Sequence, residues 1–420
     1  MNDDILITGA GIGGLATGLS LASAGFNVHV FDSVAVLMPL GVGINLLPHA
    51  VRELAELGML EDLDAAGVRC RALTYHTKRG EPIWSEARGL AAGYRWPQIS
   101  IHRGRLQAVL LDEFRARVGA ERLHLSHTLT RFDTKTGHVE ATFADARGRT
   151  VNRTARLLIG ADGIHSSVRR QLYPLEGAPR WNGALMWRGV VDGTPLLDGR
   201  TMVMAGHERQ KFVCYPIADL PDGRQRLNFV AELRFDPTEL ADREDWNKTG
   251  RIEDFLPAFE QWQFPWLDVR ALIEAAPRTW VYPMVDRDPL PRWSSGPVTL
   301  LGDAAHPMYP IGSNGASQAI LDARVLTGCL RARPQDPERA LLRYDELRRE
   351  ATAAIVLANR GQGPETAMQL VEARAPDGFA RLTDVIGDDE LAAIADKYKR
   401  IAGFAIEELN NCGSLAEPIE

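Results

Sequence analysis

The chain has 420 residues, 45% of them hydrophobic, 25% charged and 7% aromatic, which excludes disordered and fibrous proteins. At roughly 150 residues per domain, that length allows two to three domains and a core large enough to enclose a sizeable ligand. A formal charge of −7 and a pI near 5.9 argue against nucleic acid or an anionic membrane as partner, so any anionic cofactor must be held by local features.

In chain order, Ile5 to Thr8 is a short apolar run suited to a buried parallel strand. Gly9-Ala-Gly11-Ile12-Gly13-Gly14 follows, and Leu15 to Ala24 has helical apolar spacing until Gly25 stops it. Asn27 to Phe31 is a second strand ending at Asp32, so the chain opens on a strand–helix–strand unit. Pro48 to Leu57 and Leu106 to Val118 read as amphipathic helices, and Leu73 to Trp84 as a strand pair turning at Arg79-Gly80. Leu157 to Ile159 is another buried strand, running into Gly160-Ala-Asp162-Gly163. From Trp181 to about Leu233, short alternating segments between Gly, Pro and Asp predict antiparallel sheet. Trp246 to Ala276 reads as helix, Val298 to Leu301 as a buried strand and Ser317 to Arg331 as a helix. The remainder is mostly helical, with Leu341 to Leu357 a packing or dimer helix. The pattern is that of a mixed α/β protein: a doubly wound, Rossmann-like domain assembled from distant pieces, with an antiparallel-sheet domain threaded through it and helices at the C-terminus.

Cys70, Cys214, Cys329 and Cys412 are scattered without C-x-x-C spacing, as expected of reduced thiols in a cytoplasmic protein. The N-terminus MNDDILITGAG is acidic where a signal peptide is basic, and no run of about 18 apolar residues offers a membrane span. The ten histidines show no metal-ligand spacing, so no metal site is expected.

Gly9-x-Gly11-x-x-Gly14 lies between a strand and a helix, with Asp32 at a strand end about twenty residues on, the context the dinucleotide fingerprint requires. Gly9 permits the tight turn, Gly11 lets the backbone approach a pyrophosphate, and Gly14 allows the helix to pack on the strand. The N–H groups at the helix start, around Ile12 and Gly13, suit an anion. Asp32 can accept hydrogen bonds from ribose hydroxyls and would repel a 2′-phosphate, which disfavours NADP at this position. The fingerprint alone serves NAD and FAD alike.

Sequence near residue 300 separates the two. Gly302-Asp303-Ala-Ala-His306-Pro-Met308-Tyr309-Pro310-Ile-Gly312-Ser313-Asn314-Gly315-Ala316-Ser317 resembles the C-terminal FAD motif of class A flavoprotein monooxygenases. Gly160-Ala-Asp162-Gly163-Ile-His-Ser-Ser-Val-Arg169 resembles that family's middle motif, and Arg103 its flavin-contacting arginine. Within the family the segments look closest to the phenazine hydroxylases that form pyocyanin, with salicylate hydroxylases more distant.

The resemblance implies FAD as cofactor, NADPH or NADH as co-substrate, and O2. By the same resemblance, oxygen is expected to add at C4a of the reduced flavin and the hydroperoxide to give an oxygen atom to an aromatic ring, in some members with loss of a carboxylate. It assigns Gly43, Arg103, Gln107, Asp162, Gly163, Gly302, Asp303 and Pro310 to the cofactor, with the turn from Gly312 to Ser317 at the flavin edge. Ser313 and Ser317 stand where glycine is frequent in the family. His306 is open between a base and a structural residue. The implied FAD-binding domain covers 1–71, 99–180 and 280–345, the substrate domain 72–98 and 181–279, and a C-terminal helical segment 346–420.

A reactive oxygenating intermediate needs a dry cavity. Trp187, Phe212, Tyr215 and Phe229 on the inserted sheet are candidates to line it, with Met308 and Tyr309 from the flavin side. A strand puts Trp187 and Arg188 on opposite faces; an inward Arg188 could pair with a substrate carboxylate or nicotinamide-dinucleotide phosphates, an outward one is a solvated charge. The expected partner is a small aromatic substrate, and the expected state monomer or homodimer. The alternatives are a Baeyer–Villiger-type oxygenase or a reductase of the same fold, and a non-catalytic flavin sensor. A halogenase would need W-x-W-x-I-P, which Trp262-Gln-Phe-Pro265-Trp266 does not supply.

Overall fold

Four apolar tetrads and triads account for the centre of the first domain: Ile5–Thr8 (β1), Val28–Phe31 (β2), Leu157–Gly160 and Val298–Leu300 are buried almost throughout, as strands covered on both faces must be. The computed structural model describes residues 4–39, 41–236 and 248–420. Helix α1 (Ile12–Ser23) joins β1 to β2 as expected. The chain then runs through β3 (Gly43–Leu46), helix α2 (Pro48–Glu56), β4 (Gly67–Cys70), β5 (Ala72–His76), β6 (Pro82–Ala87) and β7 (Gln98–His102). Pro48 starts α2, where a missing N–H costs nothing. Helix α3 (Arg103–Arg117) is capped by the His102 side chain, which accepts from Gly104 N.

Next come β8 (Leu123–His124), a three-stranded antiparallel sheet of β9 (Thr128–Lys135), β10 (His138–Ala144) and β11 (Thr150–Ala155), and β12 (Leu157–Gly160). The long strands β13 (Arg180–Gly193), β14 (Thr201–His207), β15 (Gln210–Asp219) and β16 (Gln225–Arg234) follow, with short β17 (Thr249–Gly250), then β18 (Thr279–Asp286) and β19 (Val298–Leu300). Helices α4 (Gly315–Ala332), α5 (Pro337–Arg360) and α6 (Asp388–Ile401) lie in the C-terminal part.

The parallel sheet has the order β19-β12-β1-β2-β8. Thr8 pairs with both Gly160 and Phe31, and Gly160 with Leu300, so the loops after four strands leave the sheet at one edge. Ligands bind in doubly wound folds at that carboxyl edge.

The second sheet has eight strands, β17-β18-β13-β16-β15-β14-β5-β6. It is antiparallel except for β14 against β5, which is parallel, so the sheet is mixed where pure antiparallel pairing was expected. All of β18 belongs to it, so the sheet takes up residues 280–286, which lie beyond the expected boundary at 279.

Trp246 lies outside the described residues. From residue 248 to 276 the expected helix gives way to short helices, Leu256–Phe259 and Val269–Glu274, around a strand pair at Gln263–Phe264 and Leu267–Asp268. Pro265 cannot continue a helix, and Phe255, Phe259, Trp262 and Phe264 each bury a ring against the outer face of the large sheet.

Candidate active site

The site grows from the aligned strand ends. Gly9 has φ +97, and a Cβ there would collide with the Ala161 carbonyl oxygen; on Gly14 it would collide with Gly9 O. Gly9 N donates to Phe31 O (2.7 Å) and Ala10 N to Asp32 Oδ2 (2.6 Å), while Val34 N donates to Asp32 Oδ1 (3.0 Å). Gln107, buried on α3, donates to Ala10 O at 2.8 Å. Gly13 meets Leu301 and Ala319, so α1 packs on α4 and brings the first turn beside the last. In front of Gly11 a Cβ would meet nothing within 4 Å: the turn is tight behind and open ahead.

After β12, Asp162 Oδ2 accepts Ser167 N at 2.7 Å, and Oδ1 is buried without a partner among the described residues. Burial raises its pKa. Gly163 is left-handed at φ +77, with open space beside it. The middle motif also clamps the third loop, because buried Arg169 donates from Nη1 to Ala304 O (3.1 Å) and Ala305 O (2.8 Å).

After β19, Gly302 N donates to Asp322 Oδ2 at 3.1 Å. Asp303 is solvent-accessible, yet enough protein surrounds it for burial to raise its pKa, against the pull of His306 and Arg103. Arg103, at the start of α3, is exposed, covers Gly41 and lies close enough to Asp303 for its charge to be felt there. His306 Nε2 lies 2.5 Å from Asp322 Oδ2, and Arg348 Nε donates to Asp322 Oδ1 at 2.7 Å. Of the two readings of His306, this network supports the structural one: the ring is buried and tied to the carboxylate that fixes Gly302.

The turn from Pro310 is made by Gly312 (φ +69) and, unusually for a residue with a Cβ, Ser313 (φ +59). Helix α4 begins at Gly315, two residues before the expected Ser317; Gln318 N to Asn314 O (2.8 Å) is an early intrahelical bond. The N–H groups of Gly315, Ala316 and Ser317 precede it, and Gly315 faces open space. Ser317 Oγ accepts Leu47 N at 3.2 Å, tying the helix start to the end of β3.

Two residues outside the motifs, Asn359 and Tyr398, hold this turn. Asn314 Nδ2 donates to Tyr398 Oη (2.9 Å), Tyr398 Oη lies 2.7 Å from Asn359 Oδ1, and Asn359 Nδ2 donates to Tyr309 O (3.1 Å). A Cβ on Gly312 would strike the Tyr398 hydroxyl. Asn359 and Tyr398 carry no local signal that sequence reading could have used; the 346–420 segment had no expected role at the site.

The large sheet presents its inner face to these loops. Gly43 lies between the domains: its N–H donates to Asn228 Oδ1 (2.7 Å), and its carbonyl accepts from Tyr215 Oη (2.8 Å) and Arg188 Nη2 (2.6 Å). Arg188 therefore faces inward, but it fixes β3 and pairs with a backbone oxygen. Trp187, Phe212 and Phe229 do not line the site. They sit on the outer face, Trp187 stacked on Phe255 at 5.2 Å and Phe212 on Phe229 at 5.7 Å, because that face also has a core to fill. Tyr309 is buried with Met186 and Met284, and Met308 is half-buried near Tyr398 and Phe404. A cleft opens between Gly312–Ser313 and the sheet, with Leu47, Leu73, Met202, Met204 and Phe404 among its apolar walls.

These residues fit FAD: open glycines at two helix starts, an orphaned buried carboxylate oxygen at Asp162, and an enclosed, accessible carboxylate at Asp303, all on one sheet edge.

Comparison with known proteins agrees. Residues 2–359 match the FAD binding domain family. The chain is 42% identical over 405 residues to a phenazine 1,6-dicarboxylic acid hydroxylase, PhzS, of Lysobacter antibioticus, covering 95% of this chain and 97% of the relative. It is 34% identical to a 3-amino-4-hydroxybenzoate 2-monooxygenase of Streptomyces cremeus, covering 84% of each. A salicylate hydroxylase substrate complex superposes with a TM-score of 0.75 at 22% identity, over 100% of this chain and 99% of that one, a likeness of fold. The chain belongs to the FAD-binding-domain family of class A flavin monooxygenases. It is an FAD-dependent, NAD(P)H-consuming, O2-using oxidoreductase that hydroxylates an aromatic compound; the Baeyer–Villiger or reductase alternative is not favoured. Among the described residues no helix is long and apolar enough to cross a membrane.

Proposed function

We propose that the protein hydroxylates a planar, carboxylated polycyclic aromatic compound of the phenazine type. The observation that carries this reading is the cleft whose apolar wall meets the Gly312–Ser313 turn. The relative in Lysobacter antibioticus, named for a phenazine dicarboxylic acid, supports the ring class.

In this reading Gly9, Gly11, Ile12, Gly13 and Gly14 hold the pyrophosphate, with Asp162 and Gly163 beside it, and Asp32 takes the adenosine ribose. Gly302, Asp303, Arg103 and Gln107 bind or brace the middle of the cofactor. Pro310, Gly312, Ser313, Asn314, Gly315, Ala316 and Ser317 meet the flavin, and Gly43 sets the facing strand. Bound FAD supplies the redox chemistry that moves electrons from NAD(P)H to O2 and one oxygen atom to the ring. The protein's part is to orient, to exclude water and to stabilise charge. The start of α4 offers N–H groups and the positive end of a helix to a reduced, anionic flavin, worth roughly 0.3–1 kcal/mol and up to ~2 when partly buried. The apolar walls keep water from the reacting atoms. A reducing, cytoplasmic setting accords with the four unpaired cysteines.

The test is steady-state NAD(P)H oxidation by the FAD-loaded enzyme across phenazine carboxylates and hydroxybenzoates, with product mass. The expected result is stimulated oxidation and a product one oxygen heavier for a phenazine carboxylate. Oxidation that stays at the ligand-free rate across the panel overturns the reading.

A further inference from the structure

The cleft beside Gly312 has a polar end that an apolar ring does not need. Glu86, on β6, accepts Arg88 Nη2 at 2.7 Å, and its other oxygen lies 2.6 Å from Lys399 Nζ, which reaches in from α6. All three line the cleft, with side-chain exposures of 7% for Glu86, 11% for Arg88 and 15% for Lys399. Two cations on one carboxylate leave one positive charge. Asp396, 3.7 Å from Lys399, is 62% exposed, so water screens it. The next charges, buried Lys211 with Glu232 (2.9 Å) and Glu365, carry one formal negative charge among them, which burial opposes by raising the Glu365 pKa, and none of the three lines the cleft.

One further atom points the same way. Arg88 Nε is buried without a hydrogen-bond partner among the described residues. A buried cation with an unused donor is costly, and the cost falls when an anion supplies both charge and acceptor. A carboxylate matches an arginine best, since charge-assisted bonds to its planar fork are short and directional.

We propose that Arg88, supported by Lys399 across Glu86, is the subsite for the carboxylate of the aromatic substrate, and sets selectivity for anionic over neutral rings. The assignment rests on the cleft being the substrate site. It differs from the expectation for Arg188, which sits on β13 in the other half of the sheet and whose guanidinium holds Gly43 of β3.

The experiment uses the FAD-loaded enzyme and two ligands of nearly equal shape, phenazine-1-carboxylic acid and phenazine-1-carboxamide. Binding is read from perturbation of the flavin absorbance, and turnover from NAD(P)H oxidation. The acid should bind at least about tenfold more tightly than the amide, the size expected of a charged hydrogen bond. In Arg88→Gln, and separately in Lys399→Met, which brings the cluster to zero net charge, the ratio should fall to within about threefold. Equal binding of acid and amide by the unaltered enzyme overturns the subsite, and if both still stimulate NAD(P)H oxidation, the hydroxylase reading stands. Neither ligand perturbing the flavin or stimulating oxidation overturns the substrate reading and the subsite with it. If Arg88→Gln does not retain FAD, the ratio in Lys399→Met decides; an undiminished ratio in either loaded variant counts against the proposal.

Discussion

The two glycine turns that frame the cofactor site are held in opposite ways. The first, Gly9 to Gly14, is closed by near neighbours in the chain: Phe31 O and Asp32 Oδ2 take its N–H groups within about two dozen residues, and Gln107 adds one bond. The second, Gly302 to Ser317, takes one bond from nearby Asp322 and is otherwise held from far along the chain, by Arg169 upstream and by Arg348, Asn359 and Tyr398 downstream. A locally closed turn is a property of a short stretch of sequence. A remotely braced one exists only once three helices have packed, so its geometry depends on residues that carry no motif.

The largest effect should come from breaking the local turn. In Gly14→Ala the new methyl would meet the Gly9 carbonyl, which cannot swing away without undoing the turn. Purified Gly14→Ala should be colourless or nearly so, with flavin absorbance per protein at least tenfold below that of the unaltered enzyme. A yellow protein at full stoichiometry would mean that the tight turn is not what the cofactor requires.

Breaking one remote brace should cost less. Tyr398→Phe keeps the ring and removes the hydroxyl shared by Asn314 and Asn359, leaving buried polar groups one partner short. The loss should be about 1–3 kcal/mol in urea unfolding, with FAD retained and released faster from Tyr398→Phe than from the unaltered enzyme. Stability and FAD release both unchanged would show that the turn holds itself.

That contrast explains what could be read from the chain. The opening strand–turn–helix unit and Asp32 were legible because spacing alone requires them, and the third motif because the contiguous run Gly302 to Ser317 resembles the C-terminal FAD motif of class A flavoprotein monooxygenases. The inner and outer faces of the large sheet were not. Alternation says that Trp187 and Arg188 point apart, but both faces are buried, one by short helices and one by the flavin-side loops, so hydrophobicity does not choose between them. The aromatic face went to the ordinary core, and the polar face to the site. Glu86, Arg88 and Lys399 were invisible for the same reason as Tyr398: one strand, its trailing residue and a helix three hundred positions later have meaning only together.

The smallest effect concerns a histidine that ties α2 to the remotely braced helix. His49 is 2% exposed, with Nε2 at 3.3 Å from Gln318 Nε2 and its ring stacked near Phe404. Gln318 in turn donates to Ala402 O (3.1 Å), so the contact belongs to the same downstream support. Burial, with Arg348 and Arg52 nearby, pushes the His49 pKa down to about 3. The unfolded chain takes up this proton near pH 6.5 and the native protein does not, so stability is intact above pH 6.5 and falls as the pH drops from 6.5 towards 3. Between pH 7.5 and 5.5 this single group should remove about 1.4 kcal/mol. His49→Gln can still accept from Gln318 and has no proton to gain. Urea unfolding at pH 7.5, 6.5 and 5.5 should show the two proteins diverging in slope, the variant losing less, because the other histidines and carboxylates are common to both. Parallel curves would mean that His49 is protonated in the folded protein as readily as in the unfolded one, and the helix-to-helix contact would then be looser than the packing around Gln318 implies.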